Sequence, residues 1–266
     1  MAELSVRTRR STRPLALGAT GVVAFLALWQ LVPALGLVDP QSLPYATDVL
    51  AQLGREATTA SFWDDVRLTV TAWAIGLTIA IVAATTVGTV VGLVPLLRRS
   101  TKTTIEFLRP IPSVVLVPLA ILLFGLRLQA ALVIIVYASF WQVFVQVLYG
   151  VADVDVVARD TARSFGLSRA SRFRNLVLPT ALPYIMTGVR LAAAVALILT
   201  VTAEMTIGNP GIGHTIVVAQ ATGNYVRVYA IVIVAGTLGL LINIAFRALE
   251  RRVLSWHESV RGEESA

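Results

Sequence analysis

The chain has 266 residues, of which 56% are hydrophobic and only 14% are charged. So small a charged fraction, with the apolar residues gathered in long blocks, excludes an ordinary soluble domain and indicates an integral membrane protein. The absence of cysteine excludes disulfides, thiolate metal sites and cysteine nucleophiles. The net charge of +7 does not indicate nucleic-acid binding, because the arginines stand at the ends of apolar blocks rather than on one face of a soluble domain.

Six apolar blocks predict six membrane-spanning helices in an all-α, polytopic protein. A bilayer core about 30 Å thick requires roughly 20 apolar residues per helix. We expect the transmembrane domain to cover 15–256, between short tails at 1–14 and 257–266. The six blocks lie near Leu15 to Leu37, Leu68 to Leu97, Ile111 to Phe124, Ala130 to Tyr149, Met186 to Ile207 and Val228 to Leu249.

Prolines disturb the third block. Pro110 and Pro112 stand at its start, where proline is tolerated, whereas Pro118 should bend the helix. Gly125 ends the block early unless the helix begins around Thr103 or Glu106.

The basic residues predict the topology. With the N-terminus inside, eighteen of the 22 basic residues lie in inner segments, so the positive-inside rule places both termini in the cytoplasm. The four outer residues are Arg55, Arg67, Arg127 and Arg227. The inner residues are Arg7, Arg9, Arg10, Arg13, Arg98, Arg99, Lys102, Arg109, Arg159, Arg163, Arg169, Arg172, Arg174, Arg190, Arg247, Arg251, Arg252 and Arg261.

The first block also fits a secretory signal, with 33–36 as its exit. Its apolar run is longer than the roughly 7 to 15 residues of a signal core. We therefore expect this helix to be retained.

Two outer loops are predicted. The first, Val38 to Val66, contains five acidic residues, and helical spacing from Ala46 to Ala57 indicates a short surface helix. The second opens at Gly208 to Gly213, whose glycines and proline should break the fifth span. His214 to Gln220 is expected to follow as a short amphipathic turn.

The segment Val154 to Pro183 is a polar, arginine-rich hinge between the fourth and fifth spans. Its apolar residues recur at helical spacing, which predicts two short amphipathic helices around a turn. Gly166 can end the first helix with a positive φ, and Ser168 can cap the second. Pro179 and Pro183 are expected to restart the chain toward the next span.

The spacing inside the hinge resembles a known docking loop. The hinge is similar to the Glu-Ala-Ala-x3-Gly-x9-Ile-x-Leu-Pro loop of ABC importer permeases. Its residues are Asp160-Thr161-Ala162, then three residues, Gly166, nine residues and Leu176-x-Leu178-Pro179. Asp160, Thr161 and Leu176 depart from that pattern, although Asp160 keeps its charge. Further matching strings are Leu108-Arg109-Pro110-Ile111-Pro112, Pro118-Leu119-Ala120-Ile121, Gly188-Val189-Arg190-Leu191, Ala203-Glu204-Met205 and Gly211-Ile212-Gly213.

Together these strings, from about Leu43 to Trp256, resemble the type I permeases that import nitrate, taurine, alkanesulfonates and related small anions across the bacterial cell membrane. The resemblance implies two permease copies, commonly a homodimer, with cytosolic ATPase subunits and an extracytoplasmic substrate-binding protein. It also implies that ATPase closure reaches the spans through the hinge. The residues that would carry this coupling are Asp160, Thr161, Ala162, Gly166, Leu176, Leu178 and Pro179.

The chain itself contains no ATP site. It has no Gly-x4-Gly-Lys-Ser/Thr loop, and its only lysine, Lys102, is outside any glycine-rich turn. We therefore expect hydrolysis on another polypeptide, and no cofactor or metal in this one. An intramembrane enzyme is disfavoured because paired acids are absent and the two histidines, His214 and His257, fall outside the predicted spans.

Two alternatives stay open. A gradient-driven secondary transporter usually shows paired membrane carboxylates and related halves, and here only Glu204 qualifies. The other interpretation of the hinge is an amphipathic loop that lies on anionic lipid through its arginines.

Several polar residues are candidates for the translocation path. Gln142 and Gln146 share one helix face, since they are four apart, and either offer amide donors to a solute or hydrogen-bond between helices. Thr200, Thr202 and Asn243 present the same choice. Small residues of the second span, such as Gly76, Gly88 and Gly92, should permit close helix approach.

Two charged residues have competing roles. Arg190 either attracts an anion on the exit side or has a structural role, by snorkelling or by a salt bridge to the hinge. Glu204 either shapes an outer gate and the break after the fifth span, or caps nearby backbone amides. A carboxylate at that depth is costly, so Glu204 should face protein or water.

Overall fold

The structure, a computed structural model, describes residues 13–255, and within them the chain is helical without a β-strand. The helices are α1 (Arg13–Ala34), α2 (Ala46–Glu56), α3 (Ala60–Leu93), α4 (Pro95–Leu108), α5 (Val117–Phe124), α6 (Leu128–Ala152), α7 (Val156–Ser164), α8 (Arg169–Arg172), α9 (Leu178–Ile207), α10 (Ile212–Ala221) and α11 (Tyr225–Val253). A 3₁₀ turn, Ser113–Leu116, precedes α5, and a π-helical segment, Phe173–Val177, joins α8 to α9. Apart from the first residues of α1, the predicted tails lie outside the described residues, as do Trp256 and His257.

Four helical segments are long and apolar enough to cross a membrane: α3, α6, the continuous helix Arg169–Ile207 and α11. They correspond to the second, fourth, fifth and sixth predicted spans. The third predicted span is α4 together with Ser113–Phe124, which are bent by 84° and form a fifth, broken span. For the first, the apolar part of α1 within the described residues, Thr20–Ala34, is shorter than a full crossing.

The bend in the third span lies at 109–112, between α4 and the 3₁₀ turn. Pro118 stands in the first turn of α5, where its missing N–H removes no helical hydrogen bond. The break contains Pro110 and Pro112 instead, and Tyr137 of α6 donates its hydroxyl to the carbonyl of Leu108 there at 2.6 Å. The prediction that Pro118 bends this span is therefore wrong.

The core is formed where α6 packs against α3 and α9. Glycines of α3 permit this packing: a Cβ at Gly88 would lie 2.9 Å from Val147 Cγ1, and one at Gly92 would lie 3.0 Å from Val151 Cβ. The close helix approach predicted from the small residues is therefore confirmed. Trp73 of α3 also donates its indole N–H to the carbonyl of Ala193 in α9 at 2.9 Å.

Hydrogen bonds gather the predicted outer loops at one end of the bundle, here called the α10 end. Arg227 Nε pairs with Glu56 Oε1 at 2.8 Å. Asn209 lies 3.4 Å from the carbonyl of Arg127, to which its side-chain amide donates. The predicted surface helix at 46–57 is confirmed as α2. The hinge follows the other end of α6, which is called the α7 end.

The predicted amphipathic turn after Gly213 is instead a packed helix. Residues Ile212 and Ile216 of α10 are buried, and they form a second apolar cluster with Phe62 and Ile231. This correction arises because α10 contacts α3, α9 and α11, and such tertiary contacts leave no local signature.

The second half of the hinge is continuous with the fifth span, so Pro179 and Pro183 do not restart the chain as predicted. Arg169–Ile207 is one helical run of 39 residues. Pro179 has no N–H for the fourth carbonyl before it, and the π segment precedes that position: Leu178 N–H donates to Phe173 O, five residues back. A local π turn accommodates the proline without ending the helix.

Candidate coupling hinge and translocation residues

Helix α7 and the turn after it have well-defined ends. The Asp155 carboxylate accepts hydrogen bonds from the N–H groups of Val157, at 2.6 Å, and Ala158, at 3.0 Å. Gly166, with φ of +73°, follows the helix, and Leu167 N–H donates to Ala162 O at 3.0 Å. This is a Schellman ending, in which glycine supplies the left-handed residue. The predicted positive φ of Gly166 is confirmed.

The turn leads directly into α8. Ser168 Oγ accepts a hydrogen bond from Ser171 N–H at 3.2 Å, which confirms the predicted cap. Asp160 and Thr161 are exposed on α7, and Asp160 forms an i,i+3 ion pair with Arg163 at 3.4 Å. A pair so exposed contributes little to stability, so the carboxylate is available to a partner.

Large apolar side chains of α7 and of Phe165, which follows it, point away from the protein. Val156 is 67% exposed, Val157 74% and Phe165 79%. These three residues, which we call the knob, lie beside exposed charged residues such as Asp160 and Arg163. An apolar patch inside a charged rim is typical of a protein–protein contact.

The hinge is fastened to the bundle through its other face. Val154 and Val177 are buried, and Phe173 and Leu176 pack against the main core. A Cβ at Gly150 would lie 2.8 Å from the Cα of Ala181, so the end of α6 and the start of α9 are in close contact. Leu178 is exposed and Pro179 half-buried. The hinge is therefore packed directly against α6 and α9.

Glu204 lies near the end of α9 and is 2% exposed. Its Oε2 accepts a hydrogen bond from the N–H of Gly213, in the first turn of α10, at 2.9 Å. Thr69 of α3 accepts the neighbouring N–H of Ile212 at 3.0 Å, and Asp65 accepts the hydroxyl proton of Thr215 at 2.7 Å. These contacts, the α10 clamp, join α3, α9 and α10, and they confirm that Glu204 caps nearby amides.

Gln142 and Gln146 are half-buried on α6. Both lie against Gly188 of α9, where an added Cβ would meet Gln146 Cβ at 3.0 Å and the carbonyl oxygen of Gln142 at 3.2 Å. Among the described residues neither side-chain amide has a hydrogen-bond partner. Nothing in that part of the chain thus forms the interhelical bond that was the alternative to a solute contact.

Arg190 does not reach the hinge. It donates through Nε to Asn243 Oδ1 at 3.2 Å and pairs with Glu250 Oε2 at 3.5 Å, both on α11. Together with Thr187 these side chains line a cavity of about 270 Å³. Pairing of Arg190 with the hinge is therefore a wrong prediction.

The threonines of α9 bond within their own helix. Thr200 is buried, and its hydroxyl donates to Ala196 O at 2.7 Å. Thr202 donates to Ile198 O at 2.8 Å. Such bonds satisfy the hydroxyl without any solute.

A comparison with protein families decides the assignment. Residues 76–255 match the model of the binding-protein-dependent transport system inner membrane component. The chain belongs to this family. The permease is also 30% identical, over 94% of its length and 93% of the relative's, to the taurine transport system permease protein TauC of Escherichia coli (strain K12). It is 29% identical to the putative aliphatic sulfonates transport permease protein SsuC of the same strain, over 91% and 92% of the two chains.

The fold of the permease agrees with a solved structure. A chain of the MetNI methionine ABC transporter in an inward-facing conformation superimposes with a TM-score of 0.63 at 18% identity, covering 74% of the permease and 98% of that chain. The family, the transport function and the type I permease fold predicted from the sequence are therefore confirmed.

The sequence did not reveal the partners of the functional residues. Thr69 and Asp65 complete the α10 clamp by bonding to Ile212 and Thr215, which lie 143 and 150 positions later in the chain. No local pattern connects residues at such separations. Glu56 and Arg227 pair across 171 positions. In the sequence the two residues are connected only by their opposite charges, and opposite charge alone does not predict which residues pair.

Proposed function

We propose that this chain is the membrane subunit of an ATP-driven importer for a small organic or inorganic anion, and that a second copy, two cytosolic ATPase subunits and an extracytoplasmic binding protein complete the transporter. One observation supports this most: a single helix, Arg169–Ile207, joins the hinge at the α7 end to the Glu204 clamp at the α10 end. A stiff helix with fastened ends transmits displacement across the bilayer.

The α7 end is assigned to the cytoplasm. Most basic residues cluster toward it in the predicted topology, including Arg159, Arg169 and Arg172 of the hinge, and the positive-inside rule favours that side. Both termini are then cytoplasmic. The transmembrane domain is proposed to cover 15–256, and the tails to occupy 1–14 and 257–266.

The knob is the proposed ATPase contact. Phe165, Val156 and Val157 offer an exposed apolar centre, and Asp160 with Thr161 forms a polar rim. Gly166 sets the turn that presents Phe165, while Ala162, Leu176, Leu178 and Pro179 hold the hinge in register with α9. ATP hydrolysis takes place on the partner, which closes on nucleotide and moves the knob.

The solute class is proposed from the relatives. TauC and SsuC are named for taurine and aliphatic sulfonates, and both solutes carry a sulfonate group. The permease is basic, with a net charge of +7, which suits attraction of anions.

Gln142 and Gln146 are the proposed solute contacts, because their amide groups are half-buried and unpaired among the described residues. Arg190 and Asn243, beside the cavity between α9 and α11, are proposed to meet the solute at the cytoplasmic exit. Thr200 and Glu204 are assigned packing and capping roles, since their polar groups are occupied in the fold.

The test is uptake by the reconstituted complex with its ATPase and binding protein. Gly166→Val forces a branched side chain into a left-handed turn and should abolish ATP-dependent uptake. Gly36→Val is the matched control, since Gly36 has φ of +69° and nothing within 4 Å of its added Cβ, as at Gly166, but lies far from the hinge. Normal uptake with Gly166→Val, or uptake driven by an ion gradient without ATP, would contradict the proposal.

A further inference from the structure

The cavity between α9 and α11 holds one positive and one negative side chain. Its volume is about 270 Å³, near the lower end of the roughly 300 to 1,000 Å³ found for ligand sites, so it suits a small solute. The residues that line it are Thr187, Arg190, Leu191, Ala194, Asn243 and Glu250.

The two charged side chains of this cavity contact each other loosely. Arg190 Nη1 lies 3.5 Å from Glu250 Oε2, whereas charge-assisted N–H···O bonds are about 2.7 to 2.9 Å long. By contrast, Arg227 Nε and Glu56 Oε1 lie 2.8 Å apart, and Glu56 is less exposed than Glu250. The Arg190–Glu250 pair is therefore a weak fastening between helices, and it is open to a competing ion.

The guanidinium of Arg190 keeps donors for a further ligand. Its Nε donates to Asn243 Oδ1 at 3.2 Å, and its Nη1 donates to Glu250. Nη2 has no hydrogen bond to any residue that the structure describes. A sulfonate or carboxylate presents two oxygens that match the fork of a guanidinium. Arg190 can therefore receive the anionic group of a solute, in competition with Glu250.

Both charged residues lie toward the α7 end. Glu250 is three residues before Val253, the end of α11, and α11 begins at the opposite end of the bundle, after α10. Arg190 is 17 residues before Ile207, where α9 ends, a distance of about 26 Å at roughly 1.5 Å per residue. Since the α7 end is assigned to the cytoplasm, an anion meets this pair late in its inward passage.

A cation on the exit side hinders release of an anion. An unopposed guanidinium in a partly dehydrated cavity would hold the solute tightly, whereas conduction requires binding weak enough for the solute to leave. A carboxylate beside the guanidinium cancels much of its positive field and takes over its donors when the solute departs. It also spares Arg190 from lacking a counter-charge within the membrane, which would be costly.

We infer that Glu250 competes with the transported anion for Arg190 and so lowers the affinity of the exit cavity for that anion. The carboxylate pairs with Arg190 when the cavity holds no solute, and the entering anion displaces it. Return of the carboxylate then releases the anion to the cytoplasm. The inference rests on the proposed import of anions, to which it adds the residue that sets release.

Inhibition from the cytoplasmic side measures the affinity of the exit cavity. Proteoliposomes contain the complete importer, with ATP and increasing methanesulfonate in the lumen, and take up a radiolabelled alkanesulfonate that the binding protein accepts. Dimethyl sulfone replaces methanesulfonate in a parallel series, because it has a similar shape and no charge. The internal concentration that halves uptake is determined for each protein, relative to its own uptake without an internal competitor.

We expect Glu250→Gln to lower the half-inhibitory concentration of methanesulfonate at least about fivefold, the effect of a unit charge roughly 4 Å away in water. The value for dimethyl sulfone should not change, and adding Arg190→Gln should abolish the difference. Glu106→Gln is the matched control, because it removes the same charge from an exposed pair on α4 and should change neither value. Glu250→Asp keeps the charge on a shorter side chain and should lower the methanesulfonate value by a smaller factor, which provides the test if Glu250→Gln does not assemble.

An unchanged methanesulfonate value in the Glu250 variants, an equal fall for dimethyl sulfone, or a fall that survives Arg190→Gln would overturn the inference. An equal fall in Glu106→Gln would attribute the effect to net charge rather than to the pair, and would also overturn it. The proposed function fails differently: the wild-type complex would then show no ATP-dependent uptake of any anion.

Discussion

Glu204 and Gly213 join the end of the fifth span to the first turn of α10 through a hydrogen bond of 2.9 Å. The approach is close because Gly213 has no side chain: a Cβ there would lie 2.8 Å from Glu204 Cβ and would also meet the carbonyl of Val201. The α10 clamp therefore depends on the glycine as much as on the carboxylate.

Gly213→Ala should separate α10 from α9. Overpacking of this kind costs about 1 to 3 kcal/mol, so we expect a lower midpoint of thermal unfolding in detergent and a loss of uptake. Gly239→Ala is the control, because its added Cβ would lie 3.5 Å from Leu197 Cδ2, an ordinary contact. If Gly213→Ala and Gly239→Ala have the same unfolding midpoint and the same uptake, the close packing of α10 against α9 does not contribute to stability or transport.

Glu204→Gln should preserve the clamp, whereas Glu204→Leu should not. Glutamine retains a carbonyl oxygen for the N–H of Gly213, while leucine leaves that buried donor unpaired, at a cost of about 1 to 3 kcal/mol. Thermal unfolding of the two variants measures the difference. Equal destabilisation by both would show that the negative charge matters rather than the hydrogen bond.

The capping role of Glu204 was among the roles predicted from the sequence, yet its partner was not. A carboxylate near the end of an apolar block indicates a buried polar contact, because an unpaired carboxylate inside a membrane is energetically costly. The amide that Glu204 meets is set by how α10 folds back onto α9. The sequence predicted only a short amphipathic turn in place of α10, so this contact was not predicted. Local sequence patterns predict which residues are buried and which form helices. They do not predict the contacts that Thr69 or Asp65 make across the bundle.

Two ion pairs should differ in their contribution to stability. The side chains of Glu56 and Arg227 are 8% and 32% exposed, and Glu56 Oε1 lies 2.8 Å from Arg227 Nε. Those of Glu250 and Arg190 are 20% and 41% exposed, and Glu250 Oε2 lies 3.5 Å from Arg190 Nη1. Removing Arg227 leaves a buried carboxylate, so Arg227→Ala should cost about 2 to 4 kcal/mol. Arg190→Ala should cost less than about 1 kcal/mol.

Thermal unfolding of both alanine variants tests this ranking, with Glu56→Gln combined with Arg227→Ala as the control. The double variant should recover part of the lost stability, because no charge is then left buried. A ranking in the opposite order would mean that Arg190 and Glu250 are shielded in the assembled transporter.

Gln142→Leu and Gln146→Leu should reduce uptake without reducing stability. Neither amide has a hydrogen bond to lose within the described residues, and leucine has a similar size. Uptake at a range of solute concentrations, with ATPase activity measured in parallel, separates a solute contact from a structural one. Thr200→Val is the comparison, since its hydroxyl is buried within α9 and its removal should leave uptake nearly unchanged. Strong destabilisation by either leucine would instead indicate interhelical bonding in the assembly.

The hinge shows where sequence patterns reach their limit. The positive φ of Gly166 and the capping role of Ser168 were predicted, because a left-handed turn and an N-cap each favour particular residue types. Pro179 was misread, because a proline in an apolar helix has two outcomes: the helix ends, or it widens locally and continues. The second depends on the packing of Val177 and Leu176 against the core, which the sequence does not display.

Pro179→Ala should uncouple ATP hydrolysis from uptake while leaving the fold intact. Alanine restores the N–H that proline lacks, so the π turn between Phe173 and Leu178 can relax to a regular α-helix. Because each residue turns a helix by about 100°, this change would rotate α8 and the knob relative to α9. We expect ATPase binding to persist and the number of solute molecules imported per ATP to fall. Pro33→Ala, within α1 and remote from the hinge, should leave that ratio unchanged, and an unchanged ratio in Pro179→Ala would show that the register of the hinge does not control coupling.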